Sequence, residues 1–140
     1  MTLFFYALGH FLVDFLCALT VLQYADAPIL FLLYNFCAFA LQMPLGILAD
    51  EQNASCSFAL AGISFVLLAL LPFPVLIRML LCGFGNALYH VGGGRYSLLA
   101  HSGFSSLGIF VAPGAIGIFL GSLLTGSRIV IGFVAMSLLL

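Results

Sequence analysis

Apolar residues fill this chain in long blocks, and the polar positions that interrupt the blocks recur at helical spacing. Residues 2–22, 28–49, 54–71, 74–100 and 104–124 each form an apolar run about long enough to cross the roughly 30 Å hydrocarbon core as a helix. A sixth block, Arg128 to Leu140, would rise only about 20 Å, so either that helix stops halfway or the chain is a fragment. The connectors QYADA, DEQN, PF and HSG are short, so neighbouring segments run antiparallel in one compact bundle. The pattern predicts an all-α integral membrane protein, a single six-helix transmembrane bundle over residues 1–140 with a short or truncated last helix.

The polar interruptions are not scattered. In the fourth block Arg78, Cys82, Asn86 and His90 are spaced by four and form one slowly drifting stripe, with Arg95 near the end. An ionisable group at bilayer depth costs roughly 2.5 to 3.5 kcal/mol, so this stripe faces other helices or a wet cavity. Glycines 92, 93 and 94 follow it; three in a row inside a helix imply a hinge, a close contact or a helix end, and a break or bend is expected there.

The first block places Ala7, His10, Asp14, Cys17 and Ala18 on one face. His10 and Asp14 are one turn apart, either a satisfied buried pair that ties two helices together or a site that gains and loses a proton. The second block carries Asn35, Ala38, Gln42, Gly46 and Asp50 at steps of three or four, with Pro44 among them; a close helix contact and a kink are the simplest reading. The third block offers only Ser57, Gly62 and Ser64 and props the others or faces lipid. The fifth holds Gly108, Ala112, Pro113, Gly114, Gly117 and Gly121, a ladder that lets another backbone approach, with a bend expected at Pro113.

Composition sharpens the class. Hydrophobic residues make up 65% of the chain and charged residues 5%, against about a quarter charged in soluble domains. With no lysine, three arginines and four acids, the lipid bilayer is the partner implied and nucleic acid is not. Met1 and Thr2 lead straight into an apolar run containing His10 and Asp14, so the first helix is expected to stay on the mature protein. Cys17, Cys37, Cys56 and Cys82 fall singly, without a CxxC or a histidine at ligand spacing, and read as small apolar fillers rather than metal ligands. No nucleophile elbow or phosphate loop is present, so neither an enzyme nor a bound cofactor is expected.

Several stretches resemble one family. QMPLGILADEQ (residues 42–52) resembles the loop between helices 2 and 3 of the major facilitator superfamily, with Gly46 and Asp50 matching and Glu51, Gln52, Asn53 and Ala54 standing where basic residues usually follow. GIFVAPGAIG (108–117) resembles the helix 5 antiporter motif through Gly108, Pro113 and Gly117, with Ala112 in place of a glycine. Arg78 with Gly83 and Gly85 resembles the helix 4 pattern, out of step by one residue. GHFLVDFLCAL and GFGNALYHVGGGRYSLLA are similar to the fosmidomycin resistance branch, and the resemblance covers nearly the whole chain.

The resemblance implies the N-terminal six-helix half of a twelve-helix fold, with a substrate site at midplane between the halves. The other half would come from a second copy, from another chain, or be missing. It implies a proton-coupled exporter of a small organic molecule, working by alternating access in a cell membrane such as a bacterial inner membrane. In that reading Asp14, His10 and His90 handle the proton; Arg78, Asn86, Arg95, Asn35 and Gln42 are substrate-side candidates; Gly46, Asp50, Gly108, Ala112, Pro113 and Gly117 are conformational. Counting along antiparallel helices puts Asp14 near Asn86 and His10 near His90. A parallel homodimer is expected, with the Gly46 stripe of one copy against the Gly117 ladder of the other. The alternative is a membrane scaffold or accessory subunit with the same fold and no transport cycle.

Overall fold

The computed structural model describes residues 2–100 and 105–125, and the regular structure there is entirely helical. In chain order the α-helices are α1 (Thr2–Val21), α2 (Pro28–Asn35), α3 (Gln42–Gln52), α4 (Ser55–Leu68), α5 (Val75–Ala100) and α6 (Ser105–Leu123). A 3-10 turn, Leu22–Tyr24, extends α1, and a π-helical stretch, Phe36–Ala40, joins α2 to α3. That wide turn lies just before Pro44. Proline has no N–H and its ring crowds the carbonyl four residues back, that of Ala40, so the interruption expected at Pro44 takes the form of a re-registered turn.

Among the described residues, four stretches are long and apolar enough to cross a membrane: Thr2–Tyr24, Pro28–Gln52, Val75–Ala100 and Ser105–Leu123. The segment read as a crossing over 54–71 is shorter. Its helix, α4, has 14 residues, about 21 Å of rise, and Pro72 and Pro74 follow its final turn. The block from Arg128 to Leu140 lies outside the described residues.

Two expected bends leave no break. α6 continues through Pro113, and α5 runs unbroken through Gly92, Gly93 and Gly94. Those glycines serve contact instead of a hinge. A Cβ on Gly92 would lie 2.5 Å from the Ser55 carbonyl oxygen and 2.6 Å from the Ala59 nitrogen, and one on Gly93 would run into the Phe110 ring; Gly94 faces open space.

The broadest helix contacts are α1 with α6 and α4 with α5. Both depend on missing side chains. A Cβ on Gly62 would lie 2.6 Å from the Tyr89 nitrogen, one on Gly121 2.7 Å from the Phe15 carbonyl oxygen, and one on Gly117 would collide with the Phe11 carbonyl oxygen. The α6 ladder is therefore used inside the chain, against α1, which corrects the expectation that Gly117 faces a second copy. Around α1 the core gathers Val13, Leu16, Cys17, Val66, Met79, Cys82, Tyr89 and Phe110. The outward face of Pro28–Gln52 is apolar, exposing Ile29, Leu32, Phe36, Phe39, Met43 and Ile47.

Candidate functional site

Where α1 and α5 cross in opposite directions, a pair of polar residues on each helix meets the pair on the other. Asn86 Nδ2 donates to Asp14 Oδ1 at 2.9 Å. His10 Nε2 lies 3.2 Å from Asp14 Oδ2, one turn away on the same helix. His90 Nε2 lies 2.7 Å from His10 Nε2 and 3.8 Å from Asp14 Oδ1. The levels counted from sequence, Asp14 with Asn86 and His10 with His90, are the levels at which these groups touch. His10, Asp14 and Asn86 are buried, while the His90 side chain keeps 22% of its surface open.

α6 closes the cluster from the third side. The Phe110 carbonyl accepts from His10 Nδ1 at 2.8 Å, and the Phe110 ring stacks on the imidazole, centroids 4.4 Å apart. A Cβ on Gly114 would sit 2.6 Å from Asp14 Oδ2 and 2.7 Å from His10 Nε2. Phe110 and Gly114 thus shape the site, a role that sequence reading missed; the only signal was the position of Gly114 in a small-residue ladder.

Both rings are anchored by the same device. His90 Nδ1 donates to the backbone carbonyl of Asn86 at 2.9 Å, as His10 Nδ1 does to Phe110. Each anchor fixes ring orientation and turns Nε2 toward the other ring. His10, Asp14 and His90 offer ligand atoms within 4.8 Å of one another, but the contact between the two Nε2 atoms suits a proton better than a metal ion. Two nitrogens bound to a tetrahedral zinc at about 2.0–2.1 Å stand roughly 3.3 Å apart, well beyond the 2.7 Å found here.

Two openings reach the cluster from opposite ends of the bundle. A groove of about 320 Å³ is lined by Gly46, Asp50, His90, Gly94, Arg95 and Leu98 among others. Toward the other end, a smaller pocket of about 170 Å³ is lined by Asp14, Cys17, Val21, Tyr34, Asn35 and neighbours.

The remaining candidates go elsewhere. Arg78, a substrate-side candidate, donates to the Ala69 carbonyl at 2.8 Å and to the Tyr24 hydroxyl at 3.1 Å, tying α5 to the ends of α4 and α1. Arg95 pairs with Asp50 at 2.7 Å and donates to Ser55 Oγ and Asn53 Oδ1. That clasp gives Asp50 a cation from its own chain, which the stretch after it lacks. Asn35 and Gln42 donate back to the carbonyls of Phe31 and Ala38, and only Asn35 lines a pocket with Asp14. Gly46 and Gly108 have open space beside them, Ala112 is exposed, Pro113 is half-buried, and Gly117 is packed on α1. No family model, curated protein or solved structure matches the chain.

Proposed function

We propose that this chain is a subunit of a secondary active transporter in a lipid bilayer, a half-size member of the major facilitator type that exports a small organic molecule in exchange for protons. The observation that carries this reading is the pairing of Asp14, His10, His90 and Asn86 at the centre of helices whose outward faces are apolar. A soluble chain would put such groups outside and Ile29, Phe36 and Met43 inside. In a bilayer the inverse holds, because ionisable groups there cost roughly 2.5 to 3.5 kcal/mol unless paired or wetted, and those retained tend to mark ion pathways.

In this reading Asp14 and the two histidines exchange the coupling proton, and substrate approaches from the groove that His90 shares with Arg95. A second bundle completes the cavity, and a parallel homodimer in a cell membrane, such as a bacterial inner membrane, supplies it. The test uses the chain reconstituted in vesicles holding a pH-sensitive dye, under an imposed pH gradient and a panel of small lipophilic organic compounds. At least one compound is expected to evoke proton movement; none doing so, in vesicles shown to be tight, would contradict the reading.

A second reading is a membrane scaffold of the same fold. It is favoured by the commitment of Arg78 and Arg95 to bonds that fasten helix ends. Thermal unfolding in detergent separates the two, since a transporter gains stability from its substrate by mass action and a scaffold has no such ligand.

A further inference from the structure

Two backbone carbonyls and one short contact fix how many protons the histidine pair holds. A carbonyl oxygen only accepts, so the Phe110 carbonyl requires a proton on His10 Nδ1, and the Asn86 carbonyl requires one on His90 Nδ1. With both Nδ1 atoms protonated, neutral rings would turn two bare Nε2 lone pairs toward each other at 2.7 Å. That approach needs a proton between them. Three protons on two imidazoles are one more than two neutral rings carry.

We propose that His10 and His90 form a single proton-binding site, holding one proton in common between their Nε2 atoms with the Asp14 carboxylate as counter-charge. The cluster is then neutral as a whole, which is why it is tolerated in an apolar bundle. His10 Nε2 is also 3.2 Å from Asp14 Oδ2, so the shared proton has a second acceptor. Moving it there breaks the Nε2–H bond, forms an Oδ2–H bond and leaves both rings neutral. Losing it to water breaks the same bond and leaves the Asp14 carboxylate in place. In either case two lone pairs face each other, and α1 and α5 must part at that level. The proton is therefore a latch between the two helices. His90, the member open to the groove, is where it exchanges with water.

The groups around the pair leave the count unchanged. On α1, Cys17 faces the Cys82 carbonyl at 3.8 Å. On α5, the Tyr89 hydroxyl donates to the Tyr6 carbonyl at 2.8 Å. On α2, Tyr34 lines the pocket that Asp14 shares. α6 brings Phe110 and Gly114, neither of which ionises, and Arg95 and Asp50 neutralise each other across the groove.

The proton count stands on geometry, while its use as a coupling step rests on the transporter reading. The test is nitrogen magnetic resonance on the full chain in lipid vesicles, with labelled histidine and the third histidine removed as His101→Gln. Both Nδ1 atoms are expected to carry a proton near neutral pH, and the two Nε2 atoms to share one and lose it together as pH rises. His90→Gln, which offers His10 a neutral N–H instead, is expected to abolish that joint transition while helical content is retained. Two rings that titrate independently, a proton-free Nδ1 on either ring, or stoichiometric Zn²⁺ replacing the shared proton at neutral pH would each overturn the proposal. Independent titration alongside intact proton-driven transport would sink this inference and spare the transporter reading. A shared proton in a chain that moves no compound would do the reverse.

Discussion

Asn86 holds Asp14 from the opposite helix, its amide nitrogen 2.9 Å from the carboxylate in a buried contact. The amide is the one neutral donor to that carboxylate among the described residues, and it leaves the two histidines free for each other. Asn86→Ala is expected to lower stability by about 1–3 kcal/mol, the usual cost of stranding a buried polar partner. Thermal melts of the two proteins in one detergent decide it, and a variant that melts with the parent would show that the bond contributes nothing.

The glycine run on α5 separates into neighbours with opposite behaviour. Gly92→Ala forces a Cβ against backbone atoms of α4 that cannot swing away, so a loss of about 1–3 kcal/mol is expected from overpacking. Gly94→Ala meets nothing within 4 Å and should gain up to about 1 kcal/mol from helix propensity. Equal melting shifts for the two variants would contradict the packing of α4 on α5 described above.

Arg95 fastens the turn after α3 with three bonds of unequal worth. The Asp50 side chain is 74% exposed, so its ion pair is worth about 0–1 kcal/mol and Asp50→Asn should barely register. Arg95→Leu also removes the donors to Ser55 and to Asn53, the latter in the left-handed region at φ 52°. Faster amide exchange across residues 52–55 is expected in Arg95→Leu and not in Asp50→Asn. Arg95→Lys should resemble the leucine variant, because an ammonium cannot reproduce the planar fork.

Much of this was legible in the sequence. Spacing of four along residues 78–90 and the one-turn interval from His10 to Asp14 specify helix faces, and short connectors specify the alternation of direction, so the meeting of Asp14 with Asn86 and of His10 with His90 followed from counting. The arginines were harder. Arg78 and Arg95 lie on long flexible stems, so a helix face does not say whether the head turns inward or reaches to a chain end, and the Ala69 carbonyl and the Asn53 turn that receive them leave no periodic trace. Glycine ladders were ambiguous for a related reason: a missing Cβ signals that something comes close without saying what. For Gly114 the neighbour is the His10–Asp14 pair, and for Gly117 it is the Phe11 carbonyl.

Gly114 gives a direct test of the third wall of the cluster. Gly114→Ala places a methyl where Asp14 Oδ2 and His10 Nε2 now lie, so it should disturb proton exchange, whereas Gly108→Ala, with open space beside it, should not. If the alanine at 114 leaves the histidine resonances unchanged, α6 does not close the site as described.

The central claim, that the buried carboxylate couples proton movement to transport, is tested most directly by Asp14→Asn in reconstituted vesicles. The amide has nearly the same shape and can still bond Asn86, so oligomeric mass and helical content should match the parent. Compound-evoked proton flux is predicted to fall to the level of empty vesicles. Flux equal to the parent's, with the same compound and the same gradient, would contradict the account.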